Sequence, residues 1–545
     1  MEPQHFLRTS GSRDPVWVHK EPYSNRPQFP KLAKDLETDV CVVGSGIAGI
    51  STAYELVTRG AKVIMLEARD VISGESGRTS GHLSSALDAS YPELAKTHNV
   101  ERAKLAAESN HWAIKRVGEI ATELGIECEY RVLPDYEISQ YEKRDPRHDD
   151  EMKMLQEDVE MASEFGLPAF FRSDYAIKGW DGKPDQRDVA VFEEQATFHP
   201  TQYLTGVLRW LEKQPNFECY THTRVMSIEE KGLLSKDVQV GTLDGHKITC
   251  KDAVEATCIP LQKLSVVAQL EYMRTYCIAI RVPKGSIEDC LINDQADPYK
   301  YVRFTDCDAN DDYLVIGGCD HKVGQEEESG RFAELETWVR DRFSKAGSVD
   351  YKWSGQILDS KDMVPFVGLN QGTGRHTYII TGDTGHGLTM GVLAGRLLAD
   401  EILGAAAPNP WSKLYNPSRL PPVRTLPSTL AHDVQINAQY KRFVQSDISD
   451  IEDLQPGTGG VINAADTHKP LAVYKDEGGE VHRFSALCPH LQGVVCWNDA
   501  EKSWDCPVHG SRFSKDGVCV MGPAKAGLVP ADQNAEESQK EARVH

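Results

Sequence analysis

No stretch of the 545-residue chain approaches the roughly 18 consecutive apolar residues that a membrane-spanning helix needs, so no span is expected. Met1 to Phe6 offers neither a basic nor an apolar region, and no secretory signal is visible. Positive charge is in deficit. Against 82 Asp and Glu stand 60 Lys and Arg, a formal charge of −22 that repels phosphate backbones and anionic headgroups. Nucleic acid and membrane surfaces are therefore not expected partners. The 13 cysteines are odd in number and scattered, unlike the dense framework of a secreted disulfide scaffold, so reduced thiols and a cytoplasmic setting are expected. With 40% hydrophobic and 26% charged residues, no polar tract dominates, and the length suits two or three globular domains.

What is present begins after an irregular lead-in, residues 1 to 37, rich in Pro, Lys and Arg and without a sustained period. Thr38 to Val43 is a β-branched run with the pattern of a buried strand, and it stops at the glycine turn Gly44, Gly46, Gly49. Ile50, Ala53, Tyr54 and Val57 recur at helical spacing up to Gly60, a natural cap, and Lys62 to Glu67 forms the second strand. In such a βαβ unit one glycine permits the tight turn, one lets backbone approach a pyrophosphate, and one lets helix pack on strand. The helix N-terminus supplies N–H groups to the diphosphate, and Glu67 can accept the ribose hydroxyls. A bare glycine turn between unrelated elements is the bland alternative, but strand, glycines, helix, strand and acid all fall within about 30 residues.

The segment Gly74 to Ser84, with Arg78, Thr79 and Ser80, resembles the D-amino-acid-oxidase-like FAD oxidoreductases, in which such residues lie against flavin and pyrophosphate. The resemblance resumes at His376 to Gly391, a strand, glycine loop and helix that close the FAD site in that family. It implies a bound FAD touching Gly44, Gly46, Ile47, Ala48 and Gly49, then Glu67 and Ala68. Further on come Arg78, Thr79 and Ser80, then Val225 and Thr257 at strand ends, and finally Gly382, Gly385, Gly387 and Leu388. Relatives with covalent flavin carry a histidine at the position of Arg78, so noncovalent FAD is expected.

Near the other end stand Cys488-Pro-His490 and Cys506-Pro-Val-His509, with 15 residues between His490 and Cys506. Two thiolates and two imidazoles could hold zinc. The flanking residues instead resemble a Rieske domain over 450 to 528, including the stretch from His509 to Phe513 and Gly522-Pro523-Ala524, which looks like the loop covering the cluster. The resemblance implies a [2Fe-2S] cluster with Cys488 and Cys506 on one iron and His490 and His509 on the other. Respiratory relatives join the two loops by a disulfide, and the matching positions here are Gly493 and Val508. That absence implies a potential toward the lower part of about −150 to +300 mV. Cys496 and Cys519 read as packing residues.

The expected architecture is α/β, an FAD-binding Rossmann-type domain with an α+β substrate or cap domain over 38 to 425, plus a small all-β Rieske domain over 450 to 528. A linker helix is expected within 426 to 449 and a disordered tail over 529 to 545. Glu101 to Leu124 reads as a helix, Tyr272 to Val282 as a strand, and Tyr301 to Phe304 and Asp312 to Gly318 as neighbouring strands. His82, Arg303 and His386 are the candidate catalytic residues. Arg303 facing the substrate pocket stands against Arg303 as a surface cation, and each lone histidine stands against a hydrogen-bonded structural role.

A flavin accepts a hydride equivalent and releases electrons singly, whereas the cluster carries one at a time. The leading expectation is a small organic donor, an amine or amino acid, reducing FAD, with electrons leaving through the cluster to an external one-electron partner. Two rivals remain. Electrons could enter through the cluster, as in a reductive or monooxygenase-like enzyme, or the Rieske fold could be a docking module on a flavin oxidase. Only 36 residues follow His509, too few for a mononuclear iron domain after the cluster.

Overall fold

The run ending at Val43 becomes the centre of a parallel sheet, because its apolar side chains are buried on both faces by helices and neighbouring strands. A computed structural model of the protein describes residues 5–531 except 183–184, 186–187, 231–236, 262–265, 267–268, 327–329, 371–373, 426–434, 437 and 464–468. The chain runs from β1 (Leu36–Val43) through α1 (Ile47–Thr58) to β2 (Val63–Leu66), and later returns as β3 (Lys247–Glu255). It leaves to form β4 (Leu270–Pro283), β5 (Asp311–Lys322) and β6 (Val349–Ser360). It then returns as β7 (Thr377–Thr381) and α2 (Gly387–Ile402).

The first sheet has the order Phe366–Leu369, β7, β3, β1, β2, Phe217–Tyr220, and every pair from β7 onward is parallel. Register does the positioning. Val43 pairs with both Leu66 and Glu255, so the loops after β1, β2 and β3 open along one edge. In doubly wound sheets ligands bind at that carboxyl edge. Gly391 and Gly395 let α2 lie directly on α1: a methyl on Gly395 would stand 2.6 Å from the Ser51 carbonyl carbon.

The second sheet contains nine strands, with β6, β4, β5 and Lys300–Asp306 antiparallel in that order. It contributes Thr275, Tyr301 and Asp320 to the cavity at the open edge of the first sheet. The expected helix is Val100–Leu124, capped by Asn99 and ended by Gly125 in a left-handed conformation (φ 64°). The C-terminal region carries two small antiparallel sheets, of three and four strands.

The lead-in is irregular but not peripheral: His5–Arg8, Val16–His19 and Tyr23–Asn25 are short helical turns, Trp17 is buried, and its Nε1 donates to Thr79 O at 2.7 Å. Isolated anchors of this kind leave no period to read. Of the expected linker helix, 426–434 and 437 lie outside the described residues; 435, 436 and 438 are α-helical, and Gln439–Val444 follows as a 3₁₀ helix. Most of the tail, 532–545, also lies outside them.

Candidate functional site

Along the carboxyl edge of the parallel sheet runs a cavity of about 660 Å³, within the range of cofactor and substrate sites. Gly44, Gly46, Ile47 and Ala48 line it at the first turn, and Glu67 and Ala68 line it after β2. Gly44 has φ +107°, open to glycine but strained for other residues. Thr79, Ser80, Val225 and Thr257 follow, and Gly382, Gly385, Gly387 and Leu388 close the far end at the start of α2. The Glu67 carboxylate is fixed by Ser45 N and Oγ (3.0 and 2.8 Å) and by Arg69 N at 3.0 Å, which holds it at the rim. Ser76, which the sequence reading passes over, caps the turn by accepting from Ile47 N at 3.0 Å. A long dinucleotide fits this cradle: glycines where a backbone must approach, an acid at the second strand, and a helix start at each end.

Four expected residues behave differently. Gly49 does not line the cavity; its missing side chain lets α1 sit on the turn, where a methyl would overlap Gly44 O. Arg303 does not face the pocket, nor is it on the surface. It is fully buried, donates to Gly81 O, Phe198 O and Phe304 O, and lies over Trp17, so it is a strut between strands. Arg78 reaches the cavity wall, but its guanidinium turns away to Ser354 O, Thr9 Oγ1, Arg13 O and Glu501. His82 lines the cavity with both ring nitrogens engaged, by Ser80 Oγ at 3.0 Å and Val302 O at 3.2 Å. Burial and then the Arg303 charge push its pKa down to about 3, so the ring is neutral.

His386, before the first turn of α2, also lines the cavity, and its Nε2 lies 3.1 Å from Asp88 Oδ1. Burial opposes its charge, but Asp88, with Asp383 and Asp135 adding to it, outweighs burial and raises its pKa.

In the C-terminal domain, Cys488 and Cys506 bring their thiols within hydrogen-bond reach. This bond holds Cys488 to about 7 against the opposing effect of burial, and raises Cys506. The His490 and His509 rings stand 4.9 Å apart. Among the described residues, the one group of three His, Cys, Asp or Glu whose ligand atoms all lie within 4.8 Å is Asp476, Glu480 and His482. No three of Cys488, His490, Cys506 and His509 therefore converge as tightly as a single tetrahedral zinc requires, roughly 4 Å between ligand atoms. A thiol pair and an imidazole pair suit two irons. Gly493 and Val508 do face each other: a methyl on Gly493 would come within 2.5 Å of Val508 Cγ2. The Val508 side chain, packed on Gly493, fills the position where the resemblance implies a disulfide in respiratory relatives.

The two domains meet at the cavity. Val520, Met521 and Gly522 of the C-terminal domain form part of its lining. Gln356 of β6, another lining residue, donates from Nε2 to Gly510 O at 3.0 Å, next to His509. Tyr272 of β4 sets its ring edge-on to His509, with centroids 6.2 Å apart. Beneath lies a buried lattice of charge: Arg78 with Glu501 at 2.8 Å, Arg274 with Asp505 at 2.5 Å, and Arg512 within 3.6 Å of both Asp505 and Glu75. Ser12 N and Ser354 N complete the shell of Glu501. Cys496 and Cys519, expected as packing residues, lie at this interface too, against Gly324 O and Arg224.

The family model described as FAD dependent oxidoreductase matches residues 39–401, more than half of the chain. The chain belongs to the FAD-dependent oxidoreductase family. In this oxidoreductase the model of the Rieske [2Fe-2S] domain matches 445–531, and FAD and a [2Fe-2S] cluster are its cofactors. The oxidoreductase is 27% identical to Bacillus subtilis YhfW, whose name describes a Rieske 2Fe-2S iron-sulfur protein, across 98% of this chain and 100% of that one. It is 24% identical to the gamma-glutamylputrescine oxidoreductase of Escherichia coli across 69% of this chain and 86% of that one. Glycine oxidase from Geobacillus kaustophilus shares the fold, with TM-score 0.57 and 16% identity, covering 71% of the oxidoreductase and 99% of that structure. Among the described residues, no helix of the oxidoreductase is long and apolar enough to cross a membrane.

Proposed function

We propose that this oxidoreductase takes electrons from a small organic donor of the amine or amino-acid class and delivers them, through its own Rieske domain, to an external one-electron acceptor. The observation that carries the reading is the shared wall: Val520 to Gly522 line the flavin cavity, and Gln356 joins that lining to the backbone beside His509. When bound, FAD supplies a two-electron oxidant and the [2Fe-2S] cluster a one-electron relay.

The chain's own residues do the rest. Gly44 to Ala48 and Glu67 would hold the dinucleotide, and Cys488, Cys506, His490 and His509 would hold the cluster. Gln356 and Tyr272 fill the space between the two sites, which keeps bulk water out of that interval and fixes its length. The buried lattice around Glu501 fixes the docking. A separate docking module needs no such continuity with the substrate cavity.

Anaerobic stopped-flow mixing of the holoenzyme with a panel of amines, amino acids and 2-hydroxy acids tests the order. Flavin bleaching followed by a cluster signal is the expected course; flavin that bleaches while the cluster stays oxidised removes the cluster from the path.

A further inference from the structure

At the end of the cavity formed by the second sheet acids predominate, and among the described lining residues no Lys or Arg stands free. Asp88, Glu137, Asp294, Asp297 and Asp320 all line it. Glu137 and Asp294 are held by neighbouring donors: Asn293 and Gln295 side chains bind the former, and Lys300 N and Trp338 Nε1 bind the latter. Asp320, on β5, is less fully held: Thr275 hydrogen-bonds its carboxylate, but one oxygen is left over. Its Oδ1 is buried and has no hydrogen-bond partner. The cations that reach it electrostatically, Lys300 and Arg331, have carboxylates of their own in Glu334 and Glu326, at 2.9 and 3.1 Å. Asp88 adds a second negative charge and accepts from Tyr299 Oη at 3.1 Å. The Tyr299 and Tyr301 rings, 5.7 Å between centroids, line the same end.

Like charges in a buried cavity repel, and burial, with the Asp88 charge adding to it, holds Asp320 up at about 7. A cation in the cavity relieves both effects, and two tyrosine faces favour it further. A carboxylate finds the opposite. Among the described lining residues the Lys and Arg side chains are Arg69, Arg78 and Arg224. Each donates elsewhere: Arg69 to Phe6 O, Arg224 to Cys519 O, and Arg78 to Glu501. An α-amino acid would bring its carboxylate into this acidic end with no Lys or Arg to meet it, and His386, the lining imidazole there, is already paired with Asp88 at 3.1 Å.

We infer that the donor is a cationic amine without a neighbouring carboxylate, its ammonium held by Asp320 and Asp88 against the rings of Tyr299 and Tyr301. This rests on the proposed amine or amino-acid chemistry and narrows it. The oxidation balances as follows: the ammonium loses one N–H proton to a cavity carboxylate, and the α-carbon gives its hydrogen with the bonding pair to FAD. The C–N single bond becomes an iminium, which water converts to a carbonyl compound and ammonium.

The test uses the oxidised holoenzyme, loaded with FAD and cluster, and reads perturbation of the flavin spectrum. Benzyltrimethylammonium, which cannot form an imine, is the cationic probe, and benzoate the anionic one; benzylamine and phenylalanine then compare reduction. The cation is expected to bind, benzylamine to reduce the flavin, and Asp320→Asn to weaken the cation about 30-fold or more, as loss of one partner from a desolvated charge pair does. Asp88→Asn serves as the second variant, and flavin content checks that each variant is folded. Tight binding of benzoate, reduction by phenylalanine in preference to benzylamine, or unchanged cation affinity in both variants would overturn the inference while leaving the redox chain standing. A holoenzyme reduced by none of these compounds but readily by 2-hydroxy acids would instead strike at the amine reading on which it rests.

Discussion

At the level of single residues, the side chains nearest the flavin bear on how that cofactor is retained. His82 is the histidine beside the expected flavin segment, yet Ser80 Oγ and Val302 O engage its two nitrogens, and burial keeps the ring neutral. Its geometry supports noncovalent FAD. Precipitation with trichloroacetic acid should leave the yellow colour in the supernatant, and colour in the washed pellet would show a covalent link. What could be read from the sequence at this scale was local. The glycine turn, Glu67 and the paired Cys and His residues declare themselves within a few positions, because each works through its own backbone neighbourhood. Arg78 and Arg303 did not, since the groups that decide their roles stand far away in sequence: Glu501 is 423 residues from Arg78, and Phe198 is 105 from Arg303. The unpartnered oxygen of Asp320 was equally invisible, since a strand pattern does not reveal which polar side chain lacks a donor.

Among the elements, strands and helices with a sustained period appeared where expected: Val100–Leu124 as one helix, and Lys300–Asp306 beside Asp311–Lys322 as antiparallel neighbours. The lead-in lacks a period because it is pinned by single anchors such as Trp17, and its packing could not be foreseen. Among the described residues the most extensive helix–helix contact is α1 on α2, which brings two helix starts to the same cavity. Gly395→Ala places a methyl 2.6 Å from the Ser51 carbonyl carbon, against backbone that cannot rotate away. A loss of about 1–3 kcal/mol in a denaturant melt is expected, together with weaker FAD retention, as the helices are forced apart. An unchanged midpoint would mean that the pair has slack.

For the whole molecule, the lattice of Arg78, Arg274 and Arg512 with Glu75, Glu501 and Asp505 is what fastens one domain to the other. Buried ion pairs add little over apolar packing, but removing one member leaves a stranded charge, at a cost of about 3–5 kcal/mol. Glu501→Gln should therefore lower stability by about that amount and loosen the Rieske domain, measured by thermal unfolding with flavin and cluster absorbance followed separately. The same group predicts an acid limit. Burial would raise the pKa of Glu501, but Arg78, Arg512 and Arg274 outweigh it and hold the folded value below the usual 4.5. The unfolded chain thus takes up the proton first. This contribution is complete above about pH 4.5 and is lost as pH falls through the folded value. Stability that is flat across pH 3 to 5 would exclude Glu501 as a clamp.

Because a stretch of the Rieske domain forms part of the flavin cavity wall, the electron exchange proposed between the two centres involves no encounter. It is unimolecular, its rate indifferent to enzyme concentration and largely to ionic strength. Dilution and added salt bear only on the steps at the two ends, where the donor arrives and the acceptor departs.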